Sequence, residues 1–182
     1  MSDNKPWNVK GVPWKTEAAF YGWVRGQLRR GWTRHPVKNL LIQNNRFKKD
    51  NGKGRLTWHL DCSKCKKATP QTKIQIDHIH PAGSLKTTED IGKFVERLYF
   101  VTFDTIRPLC IPCHEVVTLA ERKGMTFDEA KVEKEVINIM KKSVVNLKMW
   151  LSKHNLEYLT PKPSNIDQVR RIINERGVER YT

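Results

Sequence analysis

The chain has 182 residues, 38% of them hydrophobic, which suits one domain of ordinary size with helical additions. Its formal net charge of +15 departs from a balanced enzyme surface and favours a polyanionic partner, because each Lys or Arg placed on a phosphate releases a condensed counterion. The sequence has no 18-residue apolar span and no leader pattern, which argues against a membrane and predicts a soluble, cytoplasmic protein.

The positive charge is concentrated early. Residues 1–60 hold 13 Lys and Arg against 3 Asp and Glu, so +10 of the +15 lies in the first third. In "TEAAFYGWVRGQLRRGW", Thr16 is a candidate N-cap, and Ala19, Phe20, Trp23, Val24 and Leu28 recur at helical spacing. The pattern predicts a helix over 16–30 that packs Phe20, Trp23 and Leu28 on the core and is ended by Gly31. Further on, "FKKDNGKGRLT" reads as a turn or flexible basic loop, given Asp50-Asn51-Gly52 and Gly54. "RLTWHLDC" and "TKIQIDHI" alternate as strands do, the second with Ile74, Ile76 and Ile79 on one face. "TTEDIGKFVERLYF" predicts a short helix capped by Thr87 or Thr88. "DTIRPLC" reads as a strand and "CHEVVTLAERKG" as a helix stopped by Gly124. From Thr126 to Asn155 the pattern is helical, capped at Thr126. "LTPKPSN" then breaks the chain before a last helix in "NIDQVRRIINERG".

The four cysteines come as two pairs, Cys62/Cys65 and Cys110/Cys113, separated by 44 residues. Cys110-Ile-Pro-Cys113-His114 alone has the form of a c-type haem attachment site. That reading leaves the first pair unexplained and requires export. Two C-x-x-C knuckles in a reducing compartment instead supply four thiolates to one tetrahedral zinc. Asp77 and His78 lie at the predicted end of a strand, and His114 falls in the first turn of a helix pinned by the second knuckle. A carboxylate and a neutral imidazole with open positions suit a divalent metal acting on a phosphodiester. An imidazole beside it titrates in the range a general base needs.

The run "IDHIHPAGS … IRPLCIPCHEVVTLAERKG", with a C-x-x-C upstream, resembles the HNH endonucleases of the ββα-metal fold. It is most similar to the bacteriophage type, some of which are homing endonucleases. The clear resemblance covers residues 62–122. It implies an α+β fold: a zinc-stabilised ββα-metal core at 56–124, a basic DNA-contacting region at 1–55, and a helical extension at 125–182. By resemblance, Asp77 and His114 hold the catalytic metal, Mg²⁺ or a similar divalent cation. His78 is the general base, and Cys62, Cys65, Cys110 and Cys113 hold a structural zinc. The family's middle Asn, which braces the loop carrying the base, is replaced here by Thr105. His80 is a candidate for supporting that loop or touching phosphate, and Arg107 for bracing the scissile phosphate.

The implied activity is hydrolysis of double-stranded DNA to 5′-phosphate and 3′-hydroxyl ends. Further DNA contacts are expected from Arg25, Arg29, Arg30 and Arg34, alongside Trp7, Trp14, Trp23, Trp32 and Trp58. A non-catalytic zinc module that binds nucleic acid is the competing reading, but it has no need of Asp77, His78 and His114 together. An RNA-binding or ribosome-associated basic protein fits the charge and leaves the Asp-His pair unexplained.

Overall fold

A computed structural model describes residues 5–177 of the chain. These form two compact units, residues 5–63 with 68–109, and 64–67 with 110–177. Helix and strand mix in the chain, and no helix among the described residues is long and apolar enough to cross a membrane.

In the first unit, helix α1 spans Glu17–Trp32 and starts as expected, with the Thr16 hydroxyl accepting the Ala19 N–H at 3.2 Å. It does not stop at Gly31. Tyr99 donates its hydroxyl proton to the Leu28 carbonyl, and a Cβ at position 31 would collide with that hydroxyl. Gly31 therefore marks a close approach rather than a helix end. Trp23 also departs from expectation. It is 46% exposed and lies against Trp14, ring centroids 4.7 Å apart, while Tyr21 is the α1 residue that is buried.

Helix α2 follows at Pro36–Asn45, opened by a proline whose missing N–H costs nothing at a helix start. The basic stretch after it contains the expected turn, but the turn is flanked by strands. Strand β1, Phe47–Asp50, pairs antiparallel with β2, Leu56–Asp61, which in turn pairs with β3, Ala68–Pro70. The tip between β1 and β2 is held by side chains. Asp50 Oδ1 accepts the Gly52 N–H, Asn51 Oδ1 accepts the Lys53 N–H, and Gly52 and Gly54 take the positive φ such a turn requires.

Strand β4, Ile74–His78, pairs with β5, Ile106–Cys110, in a separate two-stranded sheet. Between them runs helix α3, Asp90–Tyr99. Neither Thr87 nor Thr88 caps it through a side chain. The Asp90 carboxylate instead accepts the N–H groups of Lys86 and Thr87, and the Thr88 hydroxyl pairs with the Tyr21 hydroxyl at 2.6 Å. Phe94 and Leu98 of α3 join Tyr21, Ala82 and Leu85 in one buried cluster, and Leu41, Ile76 and Ile106 form another. Each such large apolar side chain contributes about 1.5–3 kcal/mol on burial.

The second unit is helical. Helix α4, Ile111–Lys123, ends at Gly124 in the left-handed conformation, φ 65°. Helix α5, Phe127–Met140, opens with a full capping box between Thr126 and Glu129. The helical pattern through Asn155 is interrupted after Met140, because the Ser143 side chain caps a new helix, α6, at Val144–Ser152. Helix α7 spans Ile166–Arg176. Val136, Ile139, Leu147, Leu151, Val169 and Ile173 make the core here. Asn165, fully buried, is satisfied three times over by the backbone of Leu159 and Lys162.

Candidate metal centre and histidine cleft

The two C-x-x-C knuckles meet. The Sγ atoms of Cys62, Cys65, Cys110 and Cys113 all lie within 4.8 Å of one another, and three of the four residues are buried. Cys65 and Cys110 Sγ are 3.8 Å apart, far beyond the roughly 2.05 Å of a disulfide. Four sulfurs at about 2.3 Å from a central zinc would be about 3.8 Å from each other, so the cluster has the size of a tetrahedral thiolate site. Lys66, directly after the first knuckle, takes φ 58° without being glycine. A side chain held in that region carries backbone strain, here at the residue where the chain leaves the first knuckle.

At the end of β4, His78 is fixed from two sides. Its Nε2 is 3.1 Å from the carbonyl of Leu98, and its ring centroid lies 4.2 Å from that of Trp32. A carbonyl can only accept, so the neutral ring must donate through Nε2 and carry its lone pair on Nδ1. Trp32, counted in the sequence among the DNA-facing aromatics, thus packs on the candidate base. Neither partner was legible from the sequence, because both come from helices distant along the chain. His78 and His80 line a cleft of about 420 Å³ together with Glu96, Arg97, Phe100, Val101 and Thr105.

Asp77, next to His78, is held by Arg107 of β5. Arg107 Nε and Nη2 both lie 3.0 Å from Asp77 Oδ2, and the two side chains are only 19% and 13% exposed. Arg107 is therefore engaged within the strand pair rather than solvated. Thr105 closes its own turn: its hydroxyl accepts the Thr102 N–H at 2.8 Å and donates to the Thr102 carbonyl at 3.0 Å. Its backbone carbonyl then accepts the N–H of Ile79, the residue following His78, at 2.9 Å. The position does brace the strand end carrying His78, but through its main chain, while the hydroxyl is used locally.

His114 sits in the first turn of α4, directly after Cys113, and is half-buried. Arg25, Arg29, Arg30 and Arg34 are all exposed. Arg30 bonds Gln27 at 3.2 Å, and Arg29 lies 6.0 Å from the centroid of the Phe94 ring.

Comparison of the chain with protein-family models, with curated proteins and with solved structures finds no match.

Proposed function

We propose that the chain is a metal-dependent DNA endonuclease of the HNH type, with His78 as its general base. The observation that carries the reading is the fixing of His78: a donor bond from Nε2 to the Leu98 carbonyl presets the tautomer in which Nδ1 accepts a proton. A purely structural histidine gains nothing from lining an open cleft with a second histidine and an arginine. The thiolate cluster supports the same reading, because a zinc there would anchor the start of the helix that carries His114.

In the proposed reaction, water attacks phosphorus while His78 Nδ1 takes its proton. The new P–O bond forms as the bond to the 3′ oxygen breaks, and that oxygen takes a proton from solvent to become a 3′-hydroxyl beside a 5′-phosphate. By the resemblance, Asp77 and His114 would hold the divalent ion. When bound, such an ion supplies charge stabilisation to the phosphate and the departing oxygen. Arg107, by holding the Asp77 carboxylate in a fixed orientation, acts as its positioning partner. The exposed arginines of α1 would contact the phosphate backbone.

The test is incubation of supercoiled plasmid with purified protein, with added Mg²⁺ or with none. Cleavage that requires Mg²⁺ and disappears in His78→Ala establishes the enzyme. Salt-sensitive binding without cleavage would instead favour a zinc-dependent nucleic-acid-binding module.

A further inference from the structure

We propose that the β1–β2 hairpin, Phe47–Asp61, is a basic ribbon that enters the major groove of duplex DNA. The identity of the ligand rests on the nuclease reading above; the contact element does not follow from it. All four residues of β1 are exposed, and the strand is the edge of its sheet. The register pairs Lys48 with Trp58 and Lys49 with Thr57, which sends the two lysines to opposite faces. Lys53 and Arg55 stand at the tip, on a turn whose backbone is fixed by Asp50 and Asn51. A groove presents phosphates on two sides at once, and this ribbon carries cations on both faces and at its end. The major groove of B-DNA, about 12 Å wide, admits a two-stranded β-ribbon.

Trp58 sharpens the argument. It is 40% exposed, with the Arg46 guanidinium 4.3 Å and the Lys48 ammonium 5.5 Å from its ring centroid. Cations resting on an aromatic face keep their charge while losing part of their side-chain freedom beforehand, so less is lost when a phosphate docks. Edge-strand lysines also deter strand-to-strand aggregation. That role accounts for Lys48 and Lys49 but gives no reason for a rigid basic tip or for two cations on one tryptophan.

The experiment measures the affinity of the full chain for a labelled 30-base-pair duplex by fluorescence anisotropy, without Mg²⁺, across about 50–200 mM salt. Each phosphate contact contributes about 0.9 to the slope of log affinity against log salt. The quadruple variant Lys48→Gln/Lys49→Gln/Lys53→Gln/Arg55→Gln is expected to flatten that slope by about 2–4 and to weaken binding at least about tenfold at 0.1 M salt. The tip variant Lys53→Gln/Arg55→Gln, which leaves both strands intact, is expected to flatten it by about half as much. A control removes equal charge elsewhere, at Lys141, Lys142, Lys148 and Lys153, and is expected to change the slope less.

An unchanged slope in the hairpin variants, or equal flattening in the control, overturns the ribbon assignment. So does an equal loss on a single-stranded 30-mer, which has no groove. A wild-type chain that binds no duplex at any salt would overturn the nuclease reading and the ribbon together. Wild-type binding with hairpin-independent affinity overturns only the ribbon.

Discussion

Arg107 grips Asp77 through two nitrogens that share one carboxylate oxygen, each at 3.0 Å, across the β4–β5 pair. Both side chains are largely withdrawn from water, so the ion pair is not a loose surface contact. Removing one partner would leave the other charge in a poorly hydrated place. Arg107→Gln is therefore expected to destabilise the chain by about 2 kcal/mol in urea unfolding followed by circular dichroism. Adding Asp77→Asn to that variant should restore more than half of the loss, because two neutral polar groups can still share a hydrogen bond. If the two substitutions simply add, the pair is not coupled as the geometry indicates.

The thiolate cluster leads to a metal prediction. Four cysteine sulfurs within 4.8 Å, three of the residues buried, would repel one another as thiolates without a cation between them. Metal analysis of the purified chain is expected to give one zinc per molecule, and Cys113→Ser is expected to lose it. Structural zinc in small modules contributes about 10–16 kcal/mol of apparent binding energy, so a strong chelator should unfold at least the segments that carry the knuckles. Cobalt substitution should produce the visible absorption of a tetrahedral thiolate site. A metal-free preparation with wild-type spectra and stability would sink the assignment.

Much of this architecture could be read along the chain, and the parts that could not share a physical reason. Strands β2 and β4 follow from alternation, β5 reads as a short strand without it, and α1, α4, α5 and α7 follow from helical spacing with caps at Thr16, Gly124 and Thr126. The cysteine cluster was legible because its ligands come as two self-announcing pairs. Strand β1 was not, since Phe47-Lys48-Lys49-Asp50 has no apolar alternation and is a strand only because β2 lies beside it. Gly31 looked like a stop because the collision it avoids is with Tyr99, 68 positions away. The break after Met140 was hidden because no Gly or Pro marks it and only the Ser143 cap separates the two helices. At the histidine cleft, residue types pointed to His78 and Asp77, but their partners Leu98, Trp32 and Arg107 are set by tertiary pairing that no local pattern encodes.

Acid sensitivity in the helical unit should centre on Glu133. This α5 carboxylate accepts the Lys123 ammonium of α4 at 2.6 Å and the Arg170 guanidinium of α7 at 3.2 Å. The hydrogen bond from Lys123, together with the Arg170 contact and the attraction of both cations, holds its pKa below the ordinary 4.5 against the opposing effect of burial. A carboxyl whose folded pKa is depressed contributes stability that is present above its unfolded pKa and is lost as pH falls through the folded value. Glu133→Gln is accordingly expected to cost about 1 kcal/mol at pH 7, the scale of a partly exposed ion-pair network. The difference between variant and wild type should shrink once the pH drops below 4.5 and vanish when Glu133 is fully protonated. Chemical unfolding of both proteins at a series of pH values measures it, and a difference that persists unchanged under strong acid would show that Glu133 acts through packing rather than charge.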